Sequence, residues 1–186
     1  MKKSIFSFAI MAATAVAMVS CGNKTENAAA SEAAAEGEQA TEQAAEQEVQ
    51  DENTLSTDAF SMSAPEGFEL NGKAEYLQKN HEVSFRTKAG VVPTYLIKIN
   101  HDANITFDAR QSDIAKLTAI DPIKVCDVSF QGGWQPDGKS LVLYADLGDK
   151  GTARVFFPKP SGTGAPADDA AVVAKLAELL SALKFK

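Results

Sequence analysis

Apolar and polar residues alternate along most of the chain after residue 57, and this two-residue period is typical of strands with one buried face. The Asn71-Gly72 pair and residues 136–138 and 148–151 interrupt the alternation with turn-forming residues, which predicts turns and hairpins at these places. We therefore predict a mainly antiparallel sheet. Its alternating apolar positions include Phe60, Met62, Val83, Phe85, Tyr95, Ile97, Ile99, Leu141, Leu143, Ala145 and Leu147.

A helical period replaces the alternation at two places. Residues 107–119 form the first, with Thr106 as N-cap and Pro122 beyond the end. The second lies near the C-terminus, where six apolar residues form one stripe at helical spacing: Val172, Val173, Leu176, Leu179, Leu180 and Leu183. A partner or a membrane is an alternative target for this stripe, but one sheet needs a cover, so we interpret it as core packing.

These elements predict an α+β fold in which a single, mainly antiparallel sheet of about six to eight strands is covered by two helices, the longer at the C-terminus. The domain spans residues 57–186, which contain the single Trp, all three Tyr and eight of the ten Phe residues. This segment is long enough to build a hydrophobic core without disulfides.

Both ends of this domain resemble the PsbP-like domains. Such domains often open with an apolar strand that runs into Pro-x-Gly-aromatic, which here is Pro65-Glu66-Gly67-Phe68. They close with a helix that ends in a Leu-Lys-Phe-like tail, which here is residues 183–185. The resemblance covers these two ends only, and it implies a non-catalytic accessory or binding role.

The first twenty residues have the layout of a signal peptide. Lys2 and Lys3 precede an uncharged, mostly apolar stretch, residues 5–19, which is shorter than the roughly 20 residues of a membrane-spanning helix. A small residue and then Cys21 end this stretch. The segment resembles the lipobox of bacterial lipoproteins, although Met18 stands where Leu is usual.

The lipobox resemblance implies cleavage before Cys21, a diacylglyceryl thioether on its sulfur and an acyl chain on the new amino group. Two or more acyl chains give stable membrane anchoring, whereas one chain does not. Gly22 in place of Asp favours the outer membrane over the inner membrane of a Gram-negative envelope. A plain secretory signal is the alternative, but residues 14–17 offer only a crude cleavage site for it.

Residues 21–56 are predicted to be the lipidated cysteine followed by a disordered tether. They are rich in Ala, Glu and Gln, carry nine acidic residues against Lys24, and contain no aromatic residue. A helix is the alternative, because Ala and Glu favour helices. Against a helix, acidic residues recur four positions apart, where like charges would lie side by side and repel each other.

The net charge of −7 comes mostly from this tether, so the domain is nearly neutral. Nucleic-acid-binding domains carry a basic surplus, and we therefore exclude nucleic acid as a partner. The only other cysteine, Cys126, alternates with Val128 and Phe130, which predicts a buried thiol that packs as a small hydrophobe. A reactive thiol is the alternative, but no basic cluster flanks this cysteine to lower its pKa.

Candidate catalytic and metal-binding residues are few. His81 and His101 are predicted at strand ends without a glycine-flanked serine, so we predict no catalytic set, and a small envelope hydrolase is the alternative. Zinc would need further ligands near His101, and none is suitably spaced. Asp102 and Asp113 fit the ends of a calcium loop, but Phe107 replaces its glycine. We predict no metal and no other cofactor.

Trp134 is the residue that most suggests binding. It lies between Gly133 and the turn at residues 136–138, where an exposed ring could stack on a sugar or anchor a protein partner. A ring folded back over the sheet edge is the alternative that we favour. The sequence thus predicts a lipid-anchored envelope lipoprotein whose domain binds or supports an envelope protein or a glycan, without catalysis.

Overall fold

The structure is a computed structural model that describes residues 53–186. Cys21 and the first 52 residues, including most of the predicted tether, lie outside the described residues. Within residues 53–186, no helix is both long and apolar enough to cross a membrane. The described elements, in chain order, are β1 (Thr54–Ser56), β2 (Phe60–Ser63), β3 (Phe68–Leu70), α1 (Ala74–Lys79), β4 (Glu82–Thr87), β5 (Leu96–Asp102), α2 (Phe107–Ile114), β6 (Thr118–Ala119), β7 (Ile123–Val125), β8 (Val128–Trp134), β9 (Ser140–Asp146), β10 (Thr152–Pro158), α3 (Asp169–Leu180) and β11 (Leu183–Phe185).

Two antiparallel sheets organise the domain. The main sheet has eight strands, with the order β3-β4-β5-β10-β9-β8-β6 and β7 added beside β8. The small sheet has the order β1-β2-β11, so it joins the two ends of the described chain. The predicted α+β fold, with an antiparallel sheet of up to eight strands and a C-terminal helix, is confirmed. The small sheet and the short α1 are additional elements.

The two faces of the main sheet differ because side chains point alternately to one face and the other. On one face, Ile97 and Ile99 of β5 and Val155 of β10 are fully buried in a single hydrophobic core. The opposite face carries polar side chains between these positions. Helix α3 contributes to the same core through Val172, Leu176, Leu179 and Leu180. The interpretation of the C-terminal stripe as core packing is therefore confirmed.

Helix α3 is shorter than the apolar stripe suggests. Asp168 caps its start, because the carboxylate oxygen Oδ1 accepts a hydrogen bond of 2.7 Å from the Ala171 amide. The helix ends at Leu180, and Leu183–Phe185 form β11, in which Leu183 pairs with Met62 of β2. Leu183 is thus buried in a strand and not in the helix. Pairing with β2 satisfies the backbone N–H and C=O groups of this segment, which helical hydrogen bonds would satisfy if α3 were longer.

Three local predictions were wrong. The Asn71-Gly72 pair does not close a two-residue hairpin, because it leads into α1 before β4 begins. The predicted helix 107–119 ends at Ile114, and Thr118–Ala119 form β6 against β8. The folded part also starts earlier than residue 57. Leu55 of β1 is completely buried, so the apolar end of the predicted tether belongs to the core.

Cys126 does not lie on a strand face. The backbone turns at Cys126 and Asp127, and this turn joins β7 to β8, where Val125 pairs with Val128. Cys126 has a φ of 51°, a left-handed conformation, and is exposed. The prediction of a buried thiol was wrong, because Cys126 does not share a strand with Val128 and Phe130 but lies at the tip of the hairpin that joins β7 to β8.

Candidate functional site

The sequence-predicted site residues have different positions in the fold. Cys21, the predicted lipid attachment site, lies outside the described residues. Trp134 ends β8 and is only 6% exposed, and its ring lies 5.1 Å from the Lys159 ammonium. The ring is therefore folded back, which is the alternative that the sequence analysis favoured, and it offers little surface to a partner.

Asp102 and Asp113, which fit the ends of a calcium loop in the sequence, both form ion pairs within the domain. Asp102 pairs with Arg110, and the same guanidinium lies 3.7 Å from Asp113. Asp113 also pairs with Lys116 at 3.2 Å. The Asp102–Arg110 pair fastens α2 to the end of β5, whereas Asp113 pairs with residues of α2 and of the segment just after it. Thr106 lies at the N-cap position of α2, as predicted, but its side chain makes no capping hydrogen bond.

Three chemistry-bearing side chains converge where the two sheets meet. Asp58 lies in the turn between β1 and β2, His81 lies just before β4, and His101 lies near the end of β5. One ligand atom from each residue lies within 4.8 Å of the others. We call this group the His–Asp cluster. Imidazole nitrogens and a carboxylate oxygen are the donors that hold transition metals in proteins.

The register of the main sheet brings the two histidines together. Val83 of β4 pairs with Ile99 of β5, so the continuation of the ladder places His81 opposite His101. The His101 amide donates a hydrogen bond of 2.9 Å to the His81 carbonyl oxygen. The two imidazole rings then meet edge to face, with centroids 6.1 Å apart. Backbone pairing therefore positions two of the three residues of the cluster.

A rigid turn presents Asp58. The hydroxyl oxygen of Thr57 accepts hydrogen bonds from the Ala59 and Phe60 amides at 3.2 and 3.1 Å. The Lys186 ammonium donates to the Thr57 carbonyl oxygen at 2.6 Å, and the Lys186 amide donates to the Ala59 carbonyl oxygen at 3.0 Å. These bonds hold the backbone on both sides of Asp58, while its side chain stays exposed.

A second candidate site lies on the polar face of the main sheet. A shallow depression of about 360 Å³ is bordered by cationic, aromatic and amide side chains. We call it the sheet groove. Its lining residues are Lys98, Gln135, Val142, Tyr144, Arg154 and Phe156. Because these residues alternate with the core positions, the sheet groove and His101 lie on opposite faces of the sheet.

Charged and aromatic groups define the chemistry of the sheet groove. The Lys98 ammonium pairs with the Glu82 carboxylate at 2.6 Å, whereas Arg154 makes a long hydrogen bond of 3.5 Å to the neutral amide of Asn100. Burial raises the pKa of the Tyr144 phenol, and the nearby Asp113 carboxylate raises it further. Tyr144 therefore stays neutral and can donate a hydrogen bond at any physiological pH.

Comparison with known protein families, with curated proteins and with solved structures finds no match. The resemblances to bacterial lipoproteins and to PsbP-like domains stay predictions. The geometry of the two sites is then the basis for an inference about function.

The sequence analysis placed both histidines at strand ends, but it predicted neither the contact between the two histidines nor the presence of Asp58 beside them. A partial signal for the histidine pair was present, because alternation places His81 on the face of Val83 and His101 on the face of Ile99, but a period of two does not say which residues face each other. Asp58 had no such signal. It reaches the histidines through contacts between separate sheets, which no local pattern records.

Proposed function

We propose that this chain is a lipid-anchored lipoprotein of the bacterial envelope, with the outer membrane favoured, and that its domain is a binding module without catalysis. Cys21 anchors the protein through lipid, and the acidic tether holds the domain away from the membrane surface. The domain then binds an envelope component that presents acidic groups. The sheet groove is the observation that supports this binding role.

The sheet groove suits a ligand or partner with acidic and flat groups. Arg154 pairs with a neutral amide within the described residues, so its charge is available to a carboxylate or phosphate. Tyr144 and Phe156 add aromatic surface, which is typical of binding sites. The groove lies on a sheet of eight antiparallel strands, and such a rigid support reduces the entropy lost on binding.

The composition of the His–Asp cluster favours binding over hydrolysis. A hydrolase needs a nucleophile within hydrogen-bond reach of its base. The nearest hydroxyl in sequence, that of Thr57, already serves the backbone of its own turn. The set of two imidazoles and one carboxylate, as the described residues give it, resembles a ligand set more than a catalytic triad.

Photo-crosslinking in intact cells tests the proposed binding role. A benzophenone amino acid at Gln135, on the border of the sheet groove, is expected to form a covalent adduct with an envelope component. Combining it with Arg154→Gln should lower the adduct yield about tenfold, because a hydrogen bond to a charged group is lost. Gel mobility and mass spectrometry of the adduct then identify the bound component as protein or glycan.

Tyr76 provides the matched control position. It is 64% exposed on α1 and outside the groove, so the same benzophenone there should give no such adduct. A binding role for the groove would be contradicted by equal adducts from both positions, or by none from Gln135 when expression is normal.

A further inference from the structure

We infer that the His–Asp cluster is a binding site for a divalent transition metal ion of the kind that imidazole nitrogens hold, such as Zn²⁺. Asp58, His81 and His101 supply one carboxylate oxygen and two imidazole nitrogens, all within 4.8 Å. This site is separate from the sheet groove and does not depend on the proposed binding role.

The buried ring of His101 is the observation that points to a ligand. Its Nε2 lies 2.7 Å from the Lys150 carbonyl oxygen. A carbonyl oxygen only accepts, so Nε2 carries the proton, and Nδ1 of the neutral ring is left with a lone pair. His101 is 5% exposed, and its Nδ1 has no hydrogen-bond partner within the described part of the chain.

An unsatisfied buried nitrogen is unusual and calls for a partner. Metal-binding histidines almost always donate their second ring N–H to a carboxylate, a backbone carbonyl or water, which fixes the tautomer and orients the lone pair toward the ion. The bond between His101 and Lys150 has this form. His101 is therefore prepared as a ligand, while the ring of His81 and the carboxylate of Asp58 complete the donor set.

The donor set selects the class of ion. Calcium and magnesium prefer oxygen ligands, whereas imidazole nitrogens suit zinc, copper and nickel. Three protein ligands around zinc leave a fourth position for water or another group. Zinc–ligand bonds of about 2.0–2.2 Å bring tetrahedral ligand atoms to roughly 3.3 Å from each other. The side chains of Asp58 and His81 are exposed, so small rotamer changes of these two residues would close this distance.

A bound ion would link two parts of the fold. Asp58 lies in the turn between two strands of the small sheet, and both histidines lie at one end of the paired strands β4 and β5 in the main sheet. An ion held by all three residues would fasten the first folded segment of the chain to the main sheet. The ion would therefore stabilise the domain at the place where the predicted tether joins it.

Calorimetric titration of the full-length, detergent-solubilised protein with Zn²⁺ tests the site. The expected result is one ion per chain with a dissociation constant of about 10 μM or tighter, weaker than a four-ligand structural site. At an ion concentration of about one hundred dissociation constants, the melting temperature should rise by about 5–10 °C.

Two exposed ligands supply variants that keep the fold. Asp58→Asn and His81→Asn should each weaken zinc binding by at least about tenfold and reduce the rise in melting temperature to about half or less. Asparagine is chosen at position 81 because it tolerates the left-handed backbone found there, with a φ of 50°. Asp127→Asn, an exposed acid in the turn between β7 and β8, is the matched control and should bind zinc as the unmodified protein does.

The outcomes decide between this site and non-specific binding to the acidic residues of the tether. Loss of binding in both variants, with Asp127→Asn unchanged, supports the site. Absence of binding at 100 μM Zn²⁺ (about ten times the weakest dissociation constant expected), or wild-type affinity in either variant, overturns it. These results leave the crosslinking test of the sheet groove unaffected.

Discussion

Replacement of Cys21 by alanine is expected to remove the protein from the outer membrane. Each buried methylene group of an acyl chain contributes about 0.8 kcal/mol to membrane binding, and two or three chains give stable anchoring. Without the thiol, no diacylglyceryl group can be attached. The share of the protein in the outer-membrane fraction of a density gradient should fall about tenfold or more.

Cys126→Ala is the matched control for this experiment. Cys126 is the only other cysteine of the chain and lies exposed in the turn between β7 and β8. Its replacement should leave the outer-membrane share unchanged, since the lipid is proposed to be on Cys21 alone. An unchanged membrane share for Cys21→Ala, or the same loss in both variants, would speak against the proposed anchor.

Replacement of Gly133 by alanine is expected to produce a large loss of stability for a single added methyl group. Gly133 lies in β8 between two strands and pairs with Ala119 of β6 and Val142 of β9. A Cβ atom added there would lie 1.9 Å from the Thr118 carbonyl oxygen and 2.9 Å from the Ala119 Cα. Backbone atoms cannot turn away as a flexible side chain can, so β6 must separate from β8.

We expect Gly133→Ala to lower the free energy of unfolding by about 3 kcal/mol or more, at the upper end of overpacking effects. Urea denaturation followed by circular dichroism measures this change. Gly90→Ala is the matched control, because a Cβ atom there meets nothing within 4 Å and only the left-handed φ of 83° is unfavourable. Its cost is about 1–2 kcal/mol. A Gly133→Ala variant as stable as Gly90→Ala would contradict the close approach of β6.

The long elements of this fold were readable from the sequence because their burial is periodic. Strands β5 and β10 alternate between buried and partly exposed residues along nearly their whole length. The apolar stripe of α3 likewise matches its buried face. These patterns depend on one local rule, the period of the element, and therefore predicted the α+β fold without knowledge of any contact.

The short elements were not readable, because three residues are too few to establish a period. β1, β7 and β11 have three residues each, and β6 has two. Their strand conformation comes from pairing with longer strands. Gly132 and Gly133 show the same limit: in the sequence they resemble a flexible tip, but they lie inside β8, where neighbouring backbones leave no room for a side chain.

The His–Asp cluster divides into a part that the sequence contained and a part that it did not. The pairing of β4 with β5 places His81 opposite His101, and the alternation of both strands indicates the faces of these residues although not the register. The Lys150 carbonyl oxygen, which accepts a hydrogen bond from His101 Nε2, comes from the segment after β9. The third residue, Asp58, is positioned by the small sheet. Such contacts come only from the folded chain.

We propose that the mature protein begins with a lipidated Cys21 and carries the domain as a tethered binding module. Intact mass and N-terminal peptide mass of the protein purified from membranes test this most directly. The predicted result is an N-terminal peptide that starts at Cys21 and carries the added mass of a diacylglyceryl group, usually with a further acyl chain. A peptide that starts at another residue, or an unmodified Cys21 at the N-terminus, would contradict it.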